Sequence, residues 1–231
     1  MSDPGDIETR LAALRERIER AAHATRRDAG GVHLVAVSKR QPESAIREAY
    51  RLGLRAFGEN YAQELVSKSA ALGDLADIEW HMIGHLQTNK ARLVAPVASV
   101  IHSVDSTYVA AELGKRVAKL GRTLGVLIEV NVAKDDAKTG CSPSELADVM
   151  SAVEACPALE LRGLMTMPPY LDDPQKARPF FAGLRALQTL HGGTSVLPEL
   201  SMGMSHDLEA AIAEGATIVR VGTALFGERL S

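Results

Sequence analysis

The stretch Leu-Val-Ala-Val-Ser-Lys at residues 34–39 decides how the remainder of the chain is interpreted. Its run of consecutive apolar residues shows no polar alternation, which is typical of a parallel β-strand buried on both faces. Further strand-like runs follow along the chain, and helical patterns separate them, so the order favours a parallel sheet with helices outside it. The eight predicted strands cover residues 32–38, 55–58, 78–84, 99–103, 125–132, 161–167, 197–202 and 217–222.

The helical patterns between the strands have recognisable ends. Residues 43–52 are closed by Gly53, and residues 62–72 are closed by Gly73. The run Ser-Pro-Ser-Glu at residues 142–145 matches a capping box with proline at the first helical position. We therefore expect a helix to start there.

An amphipathic helix is predicted ahead of the first strand, over residues 3–27. Pro4 suits its first turn, and Gly30 and Gly31 end it. Apolar residues recur at steps of three and four with Arg and Glu between them, as on the surface helix of a globular protein. These residues are Ile7, Leu11, Leu14, Ile18 and Ala22.

Strand followed by helix, repeated along the whole chain, predicts a TIM-type (β/α)8 barrel with one extra N-terminal helix. On length alone, 231 residues fit either two small domains or one barrel. The repeated units use up the chain, so we expect a single barrel domain over residues 1–231, with the helix of residues 1–30 packed on it. A doubly wound open sheet is the alternative, which the lack of a G-x-G-x-x-G motif after the first strand disfavours.

Composition narrows the class of protein. The chain is 46% hydrophobic, 24% charged and 4% aromatic, as in ordinary globular proteins, and a net charge of −3 gives no basic surface for nucleic acid or an anionic membrane. Cys141 and Cys156 form neither a disulfide framework nor a paired metal spacing. With no signal peptide or membrane span in the sequence, we expect a cytoplasmic monomer whose partners are small molecules.

The loops after the last two strands are the habitual phosphate site of such barrels, because backbone amides at a short helix start face the anion. Both loops combine glycine with hydroxyl groups. Gly203 and Gly222 allow close backbone approach, while Ser201, Ser205 and Thr223 can donate hydroxyl protons. Ordinary turn and cap residues look similar, but their presence in both loops favours a phosphate site.

Lys39 ends the first predicted strand and therefore points toward the mouth of the barrel. We expect burial and cationic neighbours to lower its pKa, which leaves part of it as a free amine that can condense with an aldehyde. A snorkelling lysine at a strand end is the alternative. An imine-forming lysine beside a phosphate site points to a ligand that is both aldehyde and phosphate ester, and pyridoxal 5'-phosphate is such a ligand.

Six motifs occur in order along nearly the whole chain after the first helix. Together they resemble the YggS/PROSC family of pyridoxal phosphate homeostasis proteins. They are Leu-Val-Ala-Val-Ser-Lys (34–39), Phe-Gly-Glu-Asn-Tyr (57–61), Trp-His-Met-Ile-Gly-His-Leu-Gln-Thr-Asn-Lys (80–90), Gly-Leu-Met-Thr-Met (163–167), Leu-Ser-Met-Gly-Met-Ser (200–205) and Val-Arg-Val-Gly-Thr-Ala-Leu-Phe-Gly (219–227).

The resemblance implies a barrel like the N-terminal domain of alanine racemase, with Lys39 as the Schiff-base lysine. It places Asn60 near the ring of the cofactor and Arg220 opposite the pyridine nitrogen. A guanidinium that keeps its proton leaves that nitrogen unprotonated and makes the ring a weaker electron sink. The phosphate would lie against Ser201, Ser205, Gly222 and Thr223, and Met202 would pack either against the ring or in the core.

Three functions remain open. In the first, the protein holds pyridoxal phosphate on Lys39 and delivers it to apo-enzymes as part of vitamin B6 homeostasis, without catalytic turnover. In the second, it is a racemase-like enzyme, which needs a second acid/base that alanine racemase takes from a further β-rich domain; Tyr61 and Tyr170 are the available substitutes. In the third, Lys39 serves an aldolase-like barrel, although the sequence marks no general acid.

Several charged residues near the mouth receive no role. The spacing of His81 and His85 suits a strand end, not the helix of a zinc site, and we expect no metal at these residues or at His102. Lys90 and Lys138 are near enough to touch a phosphate, but solvated charge is the default interpretation of both. Arg40 and Gln41 depart from the smaller residues often found after such a lysine, which bears on fine specificity.

Overall fold

Strands and helices alternate through the computed structural model, which describes residues 4–135 and 138–227. All eight predicted strands are present, with ends shifted by up to three residues. The strands are β1 (His33–Val37), β2 (Ala56–Glu59), β3 (Glu79–Met82), β4 (Val100–Val104), β5 (Leu124–Glu129), β6 (Leu159–Met165), β7 (Glu199–Ser201) and β8 (Ile218–Val221). The helices are α1 (Pro4–Ala24), α2 (Glu43–Arg51), α3 (Ala62–Ala71), α4 (Ala91–Val94), α5 (Thr107–Ala118), α6 (Leu146–Glu154), α7 (Arg178–Leu190), α8 (Leu208–Ala213) and α9 (Thr223–Phe226).

The strands form a closed parallel barrel in chain order, because β8 returns to pair with β1. In that last pair, Val35 lies opposite Arg220 and Ala36 lies opposite Val221. Closure confirms the predicted barrel and rules out the open doubly wound sheet. It also brings the loop after β1 next to the loop after β8.

Alternation along each strand divides the apolar residues between two cores. Ala36, Phe57 and Val219 face outward and pack under the helices in the larger core. A smaller cluster fills the inside of the barrel, formed by Val35, Val100, Leu127, Met165 and Ile218. Some inward positions closer to the carboxyl ends of the strands are polar, among them Ser201 and Arg220, so the interior becomes more polar toward the mouth.

Helix α1 packs on α2, α8 and α9, which are neighbours around the outside of the barrel. Its five predicted apolar positions are all buried, as expected from their spacing. Arg17 pairs with Glu209 on α8 (Nε–Oε1 2.7 Å) and donates to the carbonyl of Ser205 (3.0 Å). The helix therefore supports the loop after β7 from outside.

The helix predicted from Ser142 begins later than expected, at Leu146. The side chain of Glu145 does accept the backbone N–H of Ser142 (2.8 Å), which is one half of a capping box. The Ser142 hydroxyl, however, donates to the same carboxylate (2.7 Å) instead of accepting an amide. Residues 143–145 consequently form a turn before α6.

Gly163 on β6 shows how closely the strands approach, and we expect Gly163→Ala to destabilise the barrel. A Cβ atom there would lie 1.8 Å from the backbone oxygen of Glu199 on β7, so the two strands would have to separate. We expect the free energy of unfolding to fall by about 3 kcal/mol, measured by urea denaturation.

Gly31→Ala is the matched control, because nothing lies within 4 Å of a Cβ atom at that position. It should change the free energy of unfolding by less than about 1 kcal/mol. Equal stabilities of the two variants would show that the β6–β7 contact is not tight.

Candidate functional site

A cavity of about 190 Å³ opens at the carboxyl ends of β1, β7 and β8. We call it the cup, and its lining residues are Val37, Lys39, Gln41, Met204, Ser205, His206, Arg220, Gly222, Thr223 and Gly227. Five of the eight residues predicted for the cofactor site lie together here: Lys39, Ser205, Arg220, Gly222 and Thr223. The described lining has two strongly basic side chains and no carboxylate.

Lys39 is held by contacts on both sides of it in the chain. The carbonyl of Ser38 accepts a hydrogen bond from Lys68 Nζ (2.6 Å), and the backbone N–H of Arg40 donates to Glu64 Oε1 (2.5 Å). Arg40 has a φ of +58°, a left-handed conformation that is uncommon for a residue with a side chain. These two bonds to α3 fix the direction in which the backbone presents Lys39.

Lys68 joins the ends of β1 and β2 to α3 through one buried ammonium. It binds Glu59 Oε1 (2.9 Å) and Glu64 Oε1 (2.7 Å) in addition to the Ser38 carbonyl. The Ser38 hydroxyl also donates to Glu59 (2.6 Å). Burial raises the pKa of Glu59, and the bond from Lys68 opposes that rise.

One feature of the sequence points to this cluster. Glu59 is a carboxylate that closes an apolar strand, which is an expensive residue to bury without a partner. Its partner Lys68 is one of eight lysines in the sequence, and nothing in the spacing distinguishes it. Only the packing of α3 against β2 brings the pair together.

Arg220 is a buried cation in the floor of the cup. Its Nη1 donates to Ser201 Oγ (2.6 Å) and its Nη2 donates to the carbonyl of Thr166 (3.1 Å). Both acceptors are neutral, and no carboxylate in the described part of the chain forms an ion pair with Arg220. Burial lowers the pKa of Arg220 to about 10, so the side chain stays protonated at neutral pH.

Three predicted residues lie elsewhere. The Ser201 side chain points into the barrel, is fully buried and bonds Arg220 and His102, so its hydroxyl does not line the cup. Met202 faces the opposite way, into the core beneath the helices, because neighbouring residues on a strand alternate. Asn60 lines a second cavity instead of the cup.

The two loops predicted to hold a phosphate are tied to each other. Ser205 Oγ accepts the backbone N–H of Ala224 in the first turn of α9 (3.2 Å). Asp207 accepts the N–H of Met204 (2.7 Å), which shapes the turn after β7. The Ser205 and Thr223 hydroxyls thus lie on adjoining walls of the cup.

His81 and His102 contact each other inside the barrel, where we expected no role for them. His81 Nδ1 lies 2.8 Å from His102 Nε2, and His102 Nδ1 lies 2.8 Å from Ser201 Oγ. Burial lowers the pKa of both imidazoles, and that of His102 falls well below 6.5. Within the described residues, no group of three metal-ligating side chains occurs.

The second cavity, of about 390 Å³, lies beside the cup at the ends of β2 and β3. Asn60, Tyr61, His85 and Lys90 are among its lining residues. Lys138 lies outside both cavities and donates to the carbonyl of Met167 (3.0 Å), which links the loops after β5 and β6. None of the described helices combines the length and apolar character needed to cross a membrane.

The barrel belongs to a known class of domain. The family model for the N-terminal domain of alanine racemase matches residues 9–230. A solved alanine racemase from Corynebacterium glutamicum shares the fold with a TM-score of 0.71 at 19% identity, over 98% of this chain and 62% of that one.

Sequence identity is much higher to the pyridoxal phosphate homeostasis proteins. The pyridoxal phosphate homeostasis protein of Aquifex aeolicus is 46% identical over 95% of this chain and 97% of its own length, and that of Escherichia coli is 42% identical over 97% of both. PipY of Synechococcus elongatus, solved with PLP bound, has a TM-score of 0.83 at 40% identity, over 96% of this chain and 100% of that one. The chain therefore belongs to the family of pyridoxal phosphate homeostasis proteins.

The buried histidines make the stability of the fold depend on pH. Because the folded-state pKa of His102 lies below the unfolded value of about 6.5, the unfolded chain binds a proton that the folded chain does not in the range just below pH 6.5. The contribution of His102 to the free energy of unfolding is therefore present above about pH 6.5 and is lost as the pH falls below it. We expect His102→Gln to remove up to about 1.4 kcal/mol per pH unit of slope between pH 6.5 and 5.5.

The measurement is urea unfolding of both proteins at several pH values. His23→Gln is the matched control, since it removes an exposed imidazole from α1. Parallel pH profiles for wild type and His102→Gln would contradict the assignment of His102 as a neutral buried imidazole.

Proposed function

We propose that this protein binds pyridoxal 5'-phosphate in the cup, holds its aldehyde on Lys39, and delivers the cofactor to apo-enzymes without catalytic turnover. The observation that carries this proposal is the cup itself. Lys39, the buried Arg220 and two hydroxyl-bearing loops line the same cavity. The names of the curated relatives and the PLP-bound PipY structure support it. The chemistry of the lining supports the assignment of Lys39 as the residue that holds the aldehyde.

The basic lining of the cup fits an anionic ligand whose aromatic ring contains a hydrogen-bond acceptor. A buried guanidinium without a carboxylate partner is costly, because neutral acceptors compensate its lost hydration only in part. Arg220 lines the cup and uses Ser201 and Thr166 for two of its five N–H groups. A ligand that brings a ring nitrogen to Arg220 and negative charge to the cup would offset that cost.

Each wall of the cup has a separate task in this proposal. Ser205 and Thr223, with the backbone at Gly222, would hold the phosphate, and Arg17 on α1 would support them through the Ser205 carbonyl. Arg220 would face the ring nitrogen as a donor and keep it unprotonated. Pyridoxal phosphate supplies a reactive aldehyde, which condenses with a primary amine, and an electron-withdrawing ring.

The arrangement favours holding the cofactor over using it. A ring whose nitrogen is unprotonated withdraws electrons weakly, so bonds in an attached amino acid are poorly activated. Racemisation by two bases also needs an acid/base on each face of the reacting carbon. Neither candidate tyrosine is among the described lining residues of the cup. Tyr61 lines the second cavity, and Tyr170 is exposed and stacks on His206 (5.1 Å between ring centroids).

A racemase-like activity is the second candidate, and His206 is the observation that favours it. This imidazole lines the cup and contacts the carbonyl of Leu171 through Nε2 (3.1 Å). Because a carbonyl only accepts, Nε2 donates and Nδ1 is left as a base in the neutral ring. His206 is therefore the group to test if turnover is found.

We expect Lys39→Ala to abolish the Schiff-base absorption band that appears when pyridoxal phosphate is added to the wild-type protein. The reason is that no other primary amine in the described residues lines the cup. Absorption spectroscopy during a titration measures the effect, and Lys115→Ala, which removes an exposed lysine from α5, is the matched control. A band of full intensity in Lys39→Ala would refute the assignment of Lys39.

The two candidate functions predict different behaviour of the loaded protein. A carrier should restore the activity of a PLP-dependent apo-enzyme at least as fast as the same concentration of free pyridoxal phosphate, and Lys39→Ala should give no such delivery. It should leave a single-enantiomer amino acid unchanged. Racemisation with turnover, lost in His206→Gln, would instead establish the enzyme.

A further inference from the structure

The barrel interior behind the cup contains a row of polar side chains to which the proposed function gives no task. Ser201 on β7, His102 on β4 and His81 on β3 are all buried and lie in hydrogen-bond contact, one after another. The row begins at Arg220 and crosses the barrel to the opposite wall. It adjoins an interior cluster of purely apolar residues, so its polarity is not general to the barrel.

The direction of the hydrogen bonds follows from the chemistry of Arg220. A guanidinium can only donate, so Ser201 Oγ accepts from Nη1 (2.6 Å). The Ser201 hydroxyl proton then needs an acceptor, and the described residues place His102 Nδ1 within reach (2.8 Å). His102, neutral because of its burial, therefore has its own proton on Nε2.

The same reasoning extends to the next imidazole. His102 Nε2 donates to His81 Nδ1 (2.8 Å), so the proton of neutral His81 lies on Nε2. That nitrogen is buried and has no hydrogen-bond partner, with Glu79 Oε2 3.8 Å away at the first residue of β3. Every donor thus points away from Arg220, and the row ends near the exposed carboxylate of Glu79.

We propose that Ser201, His102 and His81 form a one-directional hydrogen-bond relay that holds the Arg220 guanidinium in its orientation toward the cup. These three are positioning residues, since none of them lines the cup. The inference rests on the proposed function, because Arg220 is the group that would face the ring nitrogen of the cofactor.

The relay explains why polar side chains occupy this part of the barrel. Arg220 has no ion-pair partner in the described chain, and a free guanidinium could adopt other rotamers of its long side chain. Two neutral acceptors, Ser201 on β7 and the carbonyl of Thr166 just after β6, define its plane. Ser201 accepts from Arg220 more strongly when its own proton is donated to His102, because hydrogen bonds in a chain polarise one another.

The first test uses the cofactor-free protein and so does not depend on the proposed function. Nitrogen-15 NMR of the imidazoles should show both His81 and His102 neutral and protonated on Nε2 at pH 7.5. The reverse direction would place both protons on Nδ1. Finding His102 protonated on Nδ1, or charged, would overturn the relay.

The second test measures the position of Arg220 through the probe pyridoxal phosphate. We expect Ser201→Ala to weaken binding about tenfold and to shift the absorption maximum of the bound cofactor. Ser201→Thr keeps the hydroxyl and should restore both values. Ser103→Ala removes an equally buried hydroxyl that bonds the Gly84 carbonyl (2.6 Å), and it should match wild type.

The outcomes separate the two proposals. If wild type fails to bind pyridoxal phosphate, the proposed function is wrong, while the NMR result still decides the relay. If wild type binds but Ser201→Ala matches it in affinity and spectrum, the relay has no positioning role. If Ser201→Ala and Ser103→Ala lose affinity equally without a spectral shift, the effect is one of packing and the relay is likewise refuted.

Discussion

The pairing of β8 with β1 is the constraint on which the rest of the site depends. These two strands are the most distant in sequence, yet Val35 lies opposite Arg220 and Ala36 lies opposite Val221. Since parallel strands that are paired in register end at the same level, Lys39 and Thr223 leave the barrel beside each other. An amine and a hydroxyl-rich loop share one cavity only because the sheet closes.

A second constraint is the charge buried at Arg220. Taking a guanidinium out of water costs several kcal/mol unless other groups replace the lost hydration. Here the replacement comes from a hydroxyl and a carbonyl. Glu129 and Asp207 act on Arg220 only through space, and no carboxylate in the described chain forms an ion pair with it. Such a site suits a ligand that accepts a hydrogen bond and carries negative charge.

Hydrogen bonds from residues outside the cup hold its walls in place. Lys68 fixes the backbone beside Lys39 through the Ser38 carbonyl, and Arg17 on α1 holds the Ser205 carbonyl from the other side. The extra N-terminal helix is therefore part of the support of the site as well as a cover for the core. For the proposed storage of a reactive aldehyde, a preformed cavity matters more than an arrangement that strains the ligand.

The sequence by itself determined the eight strands, the extra helix and the residues that reach the cup from loop positions. Apolar runs, glycines and hydroxyls are local properties, so Lys39, Ser205, Gly222 and Thr223 could be found from their place relative to the strands. Arg220 was identified through the family resemblance. Only the tertiary structure decided which way Ser201 faces, since its neighbour Met202 was an equal candidate and a strand of three residues gives little pattern. The contacts of His102 with Ser201 and of Lys68 with Glu59 are likewise known only from the tertiary structure. Such contacts depend on how strands and helices that are distant in the chain pack together. The role of a buried polar group becomes clear only from the partners that form its hydrogen bonds.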